Sequence, residues 1–406
     1  MIADHGRMDP YVEALRRTVR PESVVLDLGA GLGAFAILAC RLGARRVYAV
    51  EPNEVVDIAR EIASANGCGE RIEFFRQTSD TLVLPERATI IVSDLRGALP
   101  LYEHHLPSII DARERLLEPG GVLIPQRDVI YAALCEQGDT RMRFTDPWEA
   151  NKYELDLSAA KPLIRNTWRT DRLDDVRVLA DAQPCLTLDY ETIDTPHARG
   201  EVEWQVRQTG TAHGFGLWFE TTLVPGVAFT NAPGSPVAAY RHAFFPFKEP
   251  VEVKPGDLVS LALRADLVGG EYVWRWRTRF LDAAAGRRLA AEFDQSTLLS
   301  VPLTLEQVRR TAPSFVPTLG EDGHIDRMVL ADLLEGRPLG EAAEHAAEVY
   351  AHRFTNADDA LARVVRLAEK YAPSHSLTST PPVSPGVSQL RGSQRIATAP
   401  EADRRR

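Results

Sequence analysis

The residues best placed to do chemistry stand where a β-branched run gives way to a helical one. Asp27-Leu28-Gly29-Ala30-Gly31-Leu32-Gly33 follows Val24-Val25-Leu26 and opens onto Ala34 to Leu42, where apolar residues recur at helical spacing. Glycines at alternate positions let the backbone turn tightly and approach a ligand, and the helix start behind them offers free N–H groups and a favourable dipole. Asp27, Gly29, Gly31 and Gly33 are therefore candidate cofactor-binding residues. The third glycine comes one residue too early for the GxGxxG of a dinucleotide fingerprint, leaving GxGxG with Ala34 after it. Glu51 closes the next run, Arg46 to Val50, near the ~20-residue spacing at which a carboxylate meets ribose hydroxyls in such folds. An adenosine-type cofactor follows, against the plainer reading of a tight turn with no ligand.

These residues need a frame. The runs Val24–Leu28, Arg46–Val50, Ile72–Phe75 and Thr89–Val92 read as strands, and Ala34–Leu42 and Glu54–Asn66 as the helices between them, with Gly43 and Gly67 as stop signals. Gly120-Gly121 reads as a turn into Val122-Leu123-Ile124. Strands alternating with helices predict a Rossmann-like α/β domain over residues 1–125. From Pro125 the texture changes to short alternating runs such as Phe215–Phe219 and Tyr272–Arg277, which predict an antiparallel β-barrel or sandwich domain over 126–304. Arg275, Arg277 and Arg279 alternate there as a solvated strand face rather than an anion site. Helical spacing returns at Ile325, Met328, Val329 and Leu333, at Ala343–Phe354 and at Ala360–Tyr371, giving a small helical module over 305–372. Residues 373–406, rich in Ser, Thr and Pro, are expected to be disordered.

Composition narrows the function. The 406 residues carry a net charge of −10, and Arg391, Arg395, Arg404, Arg405 and Arg406 leave the body more acidic still. That balance disfavours nucleic acid as a direct partner and suits a cationic substrate. No apolar run approaches the ~18 residues of a membrane span, and the start lacks a signal-peptide layout, so a cytoplasmic chain without membrane contact is expected. Cys40, Cys68, Cys135 and Cys185 are scattered, which predicts buried thiols and no metal site.

The GxGxG loop with Glu51 resembles the first motif of class I S-adenosylmethionine-dependent methyltransferases. Ser93-Asp94-Leu95-Arg96-Gly97, with Glu103 six residues after the glycine, resembles the double-glutamate loop of protein arginine methyltransferases, Asp94 standing in for the first glutamate. Asp4-His5-Gly6-Arg7-Met8-Asp9-Pro10-Tyr11 fits the Asp-x-x-Arg-x-x-x-Tyr pattern that precedes motif I in these enzymes. The resemblance spans about Met1 to Leu303 and implies S-adenosylmethionine as cofactor. Glu51 would hold its ribose, Arg7 its methionine carboxylate and Asp80 its adenine amino group. Asp94 and Glu103 would be the catalytic pair, gripping a guanidinium bidentately and aiming one nitrogen at the methyl. Capping a loop or forming surface ion pairs is the bland alternative for them.

Departures bear on the substrate. The family's Thr-His-Trp loop would lie near Ser235–Tyr240, where only an aromatic remains, so Tyr240 joins Arg96 as a substrate-site candidate. Arg96 is placed to pair with Asp94 or Glu103 and take the guanidinium's place. His242 is a candidate for the missing loop histidine, and His104 and His105 are either proton acceptors or the start of a surface helix. The family's aromatic helix would precede Asp4, so the cofactor lid is expected from a longer start or from elsewhere in the fold. The helical module resembles small winged-helix-like peptide-carrier domains, which would make it a recruiter of substrate. The expected function is methylation of arginine in a protein or peptide by a chain that forms homodimers. A small-molecule acceptor, or a non-catalytic peptide-binding role, are the alternatives.

Overall fold

The computed structural model describes residues 2–137, 148, 153–173, 176–237, 239–302, 305–310 and 312–371. The chain divides into two compact units, residues 1–303 and 304–406. The expected tail, 373–406, lies outside the described residues.

The first unit opens with helix α1 (His5–Thr18), whose N-cap Asp4 accepts the Arg7 N–H. Strands β1 (Val24–Leu28), β2 (Arg46–Val50) and β3 (Ile72–Phe75) occupy the expected runs, and β4 (Ala88–Ser93) extends its run by one residue at each end. β5 (Leu117–Ile124) differs from the expectation: it runs straight through Gly120-Gly121. Its ladder to β4 shifts register between Ala88 and Ile90, so the glycines absorb an irregularity inside the strand instead of turning the chain, with Gly120 at φ 81°. The strands form one parallel sheet in the order β3-β2-β1-β4-β5. β1 is buried along its whole length, as a central strand covered on both faces must be. α2 (Ala34–Arg41) and α3 (Val55–Ala65) connect successive strands, and α4 (His105–Arg115) leads into β5. The strand order reverses between β1 and β4, and ligands of such sheets sit at the carboxyl ends of the strands at that point.

Past the parallel sheet all pairing is antiparallel. One six-stranded sheet contains β6 (Arg127–Glu136), β7 (Arg169–Asp171), β8 (Arg177–Asp189), β10 (Gly210–Val224), β11 (Val227–Thr230) and β12 (His242–Val253). A four-stranded sheet contains β9 (Ala198–Gln205), β13 (Leu258–Val268), β14 (Glu271–Asp282) and β15 (Arg288–Ser296). Aromatic rings join the two: Phe215 of β10 stacks on Trp204 of β9 with centroids 5.1 Å apart, and Phe245 of β12 meets Trp276 of β14 edge-on at 5.2 Å. Arg275 and Arg277 point outward and pair across the ladder with Asp294 and Glu292, and Arg279 shares Glu292, so that face is neutralised by its own neighbouring strand. The four cysteines are buried and free.

In the second unit α5 (Glu321–Leu334), α6 (Leu339–Val349) and α7 (Ala357–Tyr371) pack around Ile325, Val329, Ala343, Ala346, Val364 and Leu367. α6 stops at Val349, short of the expected Phe354, because Tyr350 leaves helical space at φ −117°, ψ 47°. Among the described residues this unit contains no strand, so the wing that the resemblance implied is not seen there.

Candidate active site

A pocket of about 410 Å³ opens at the carboxyl ends of β1, β2 and β4, within the size range of small-molecule sites. Its wall includes Gly29, Glu51, Asn53, Thr78, Asp94 and Glu103. Motif I shapes it through the backbone. Gly33 caps α2 in the left-handed region at φ 75°, a conformation that strains any side-chain-bearing residue. Gly31 is not on the wall; its N–H donates to Glu51 Oε2 at 3.0 Å. Glu51 Oε1 accepts from the backbone and side chain of Asn53, at 3.0 and 2.6 Å. The carboxylate is thus aimed by two loops before any ligand reaches it.

Several cofactor-site candidates lie off the pocket wall, Asp27 and Asp80 among them. Asp27 is 1% exposed and does not border the pocket; its Oδ2 accepts the Ala36 N–H at 2.8 Å. A strand residue thereby satisfies one of the orphan donors in the first turn of α2. Burial pushes its pKa up to about 7. Asp80 sits in a short 3-10 turn after β3, exposed and off the wall, where the Thr78 hydroxyl donates to its carboxyl and holds it below the usual range. Gln77, Thr78 and Ser79 take the place on the wall that Asp80 was expected to fill. Arg115 of α4 fixes this turn by donating to the carbonyls of Ser79 and Leu82 at 2.6 and 2.9 Å.

The acid loop is built around Gly97, where an added Cβ would lie 2.8 Å from the Tyr102 ring. The chain folds back on itself there and delivers Glu103 to the wall at φ 41°, an uncommon conformation for a residue with a side chain. Glu103 is exposed, and Tyr102 bonds to it. Asp94 is different: its side chain is 4% exposed and bonded to Arg7, Tyr240 and Arg96. Arg7 therefore faces Asp94 and lies off the pocket wall. Tyr240, also off the wall, places its hydroxyl 2.5 Å from Asp94 and its ring parallel to Phe229. Burial raises the Tyr240 phenol well above its ordinary pKa. Tyr240 is thus a support for Asp94 in this structure.

Arg96 borders the pocket, but its guanidinium is directed into the protein with the side chain fully buried. Nη1 reaches Asp128 Oδ1 at 3.1 Å and the Thr221 hydroxyl at 2.6 Å, and Nη2 reaches the Tyr11 hydroxyl. Asp128 also accepts from Tyr190 at 2.5 Å, whose oxygen lies 3.0 Å from His105 Nε2. The helix start expected here is present, with exposed His104 as the N-cap of α4, but His105 itself is 2% exposed, and burial, reinforced by Arg96, brings its pKa down to about 3. His242 is buried in β12 with Nδ1 accepting the Leu173 N–H at 3.1 Å, off the pocket wall. Asp128, Tyr190 and Thr221 were missed from sequence. One signal was available: Asp128 directly precedes the apolar run Val129–Cys135; its place across the ladder from Thr221 shows only in the fold.

Comparison with known proteins accords with this layout. Residues 126–267 match the arginine methyltransferase oligomerization subdomain, and residues 4–125 match the ribosomal protein L11 methyltransferase (PrmA) family. Over the second of its domains the chain is similar to arginine methyltransferases. Protein arginine N-methyltransferase 2 of Homo sapiens is 28% identical over 277 residues, covering 64% of each chain. Probable protein arginine N-methyltransferase 6 of Arabidopsis thaliana is 29% identical over 247 residues, covering 58% of this chain and 55% of its own. The chain thus spans less than two thirds of the length of these relatives. Among solved structures, the Trypanosoma brucei PRMT1 enzyme–prozyme heterotetrameric complex with AdoHcy superposes with a TM-score of 0.67 at 21% identity. The match covers 73% of this chain and 96% of that one. Arabidopsis thaliana protein arginine methyltransferase 10 superposes with a TM-score of 0.62 at 22% identity, covering 73% and 95%. Both show the shared fold.

Proposed function

We propose that the chain transfers the methyl group of S-adenosylmethionine to a guanidinium nitrogen of arginine in a protein or peptide. The observation that carries the reading is one pocket that joins the Glu51 end of motif I to the acid loop ending at Glu103. The donor set suits an adenosyl cofactor: an acidic side chain held open by backbone N–H groups at the end of β2, and a polar turn at 77–79 beside it. S-adenosylmethionine, when bound, supplies a methyl on a sulfonium that is already a good leaving group, so the chain needs no nucleophile of its own. Glu51 would accept the ribose hydroxyls, and Glu103 would bind and orient the acceptor nitrogen and favour its positive charge. In this reading the two antiparallel sheets are the barrel that presents the acceptor, and the acidic body draws in arginine-rich segments.

The test is incubation with methyl-labelled S-adenosylmethionine, arginine-rich peptides and a cell extract split into protein and small-molecule fractions. Label is expected in arginine after hydrolysis. Glu103→Gln should lower kcat/KM by about 100-fold or more while S-adenosylhomocysteine binding persists. Label confined to small molecules would overturn the arginine reading, and no label despite cofactor binding would favour a binding role.

A further inference from the structure

Asp94 is surrounded by the chain's own donors. An ionised carboxylate offers about four lone-pair positions. Arg7 Nε at 2.5 Å, the Tyr240 hydroxyl at 2.5 Å and Arg96 Nε at 3.2 Å take three of them, and Arg7 Nη2 adds an ion pair at the same oxygen as Arg7 Nε. Arg96 is itself tied down. Its remaining nitrogens are committed to Asp128, Thr221 and Tyr11, all buried and drawn from α1, β6 and β10. Swinging the guanidinium away would leave the Asp128 carboxylate unpaired in an apolar interior, which is strongly disfavoured. Glu103, at the other end of the same loop, is exposed on the pocket wall.

We propose that Arg96 is a specificity-determining residue: by joining Arg7 and Tyr240 on Asp94 it completes a set of internal donors and leaves Glu103, of the two acids, to receive the acceptor nitrogen alone. The inference rests on the methyl-acceptor reading of the pocket. An acceptor guanidinium is then held from one side only, and its discrimination depends on Glu103 and on contacts elsewhere along the peptide. Asp94 becomes an internal anchor that fixes Arg7 and Tyr240.

The experiment compares Asp94→Asn in the native chain with Asp94→Asn in an Arg96→Met/Asp128→Leu background, where the buried pair is replaced by apolar side chains of similar shape. Acceptor KM is measured with labelled cofactor. Affinity for N-butylguanidinium is measured by calorimetry with S-adenosylhomocysteine present, which gives a readout independent of turnover. Asp94→Asn should weaken both by about tenfold or more beyond its effect in the native chain when it is made in the altered background, the worth of one freed charge-assisted bond. Glu103→Gln should weaken both in either background. An equally large effect of Asp94→Asn in both backgrounds would show that Asp94 grips the acceptor despite Arg96. An equally small effect would show that Arg96 is not what withholds it. Either result overturns the proposal. Should the double variant not fold, Arg96→Lys serves in its place, because an ammonium cannot bridge Asp94, Asp128 and Tyr11 together. If N-butylguanidinium does not bind at all while S-adenosylhomocysteine does, the arginine reading fails instead, and the Asp94 comparison is read on the acceptor that labelling identifies.

Discussion

Asp27 lies under the glycine loop with Oδ2 on the Ala36 N–H and Oδ1 unpartnered, and burial raises its pKa to about 7. Its folded pKa exceeds its ordinary value, so its contribution to stability is fully present at low pH and is lost as pH rises from about 4 through 7. Each unit of that window is worth roughly 1.4 kcal/mol. His105 has the opposite sign: with its pKa brought down to about 3, its contribution is present above about 6.5 and is lost as pH falls toward 3. The two oppose each other over the same window, so the native chain should show a muted slope there. Urea midpoints taken from pH 4 to 7 check this. Asp27→Asn should make stability fall more steeply on acidification, and His105→Gln less steeply; parallel curves for all three would refute the assignment. At this scale, motif identity was legible in the sequence because glycine and carboxylate spacing carries it. Side-chain direction was not: Asp27, Asp80 and Arg7 each keep their place in a motif yet lie off the pocket wall, because a nearer polar partner claims each one.

The loop from Asp94 to Glu103 shows how an element sets the geometry of its ends. Gly97 lets Tyr102 fold over it, and that fold puts Glu103 in its strained conformation at the pocket. A methyl group at position 97 would push against the Cδ2 and Cγ atoms of Tyr102, at 2.8 and 3.0 Å. Tyr102 is 47% exposed and has room to swing outward, so Gly97→Ala should leave the melting temperature nearly unchanged. Glu103 would shift with it, and kcat/KM should fall about tenfold or more, as displacements of order 1 Å do at reacting centres. A variant with native kinetics would show that the loop tolerates the displacement. A second element carries stability. Asp128→Ala leaves the Arg96 guanidinium buried without its main partner and should cost about 3–5 kcal/mol in a denaturant titration. Parallel strands were easy to find from sequence because each is a short apolar or β-branched run set between helical stretches. The path of β5 through Gly120-Gly121 was not, since only its pairing with β4 shows that the glycines stay inside the ladder.

At the scale of the molecule, the stretch matched to an oligomerization subdomain leads to the expectation of a homodimer, which sedimentation equilibrium checks as a mass twice 45.0 kDa. A monomer at micromolar concentration would remove it. The order of the parallel strands, β3-β2-β1-β4-β5, puts the end of β1 beside the end of β4 and so brings motif I to the acid loop, 60 to 70 residues on in sequence. The sequence by itself determined the α/β class of the first domain and where the glycine loop and the two acids stand in it, because local spacing and hydrophobic period encode all three. Only the tertiary structure decided which acid is free. Arg96 meets Asp128, Thr221 and Tyr11 across separations of 32, 125 and 85 residues, and the low-dielectric interior holds those charges to one another. Spacing along a chain says nothing about such partners until the fold has brought them together.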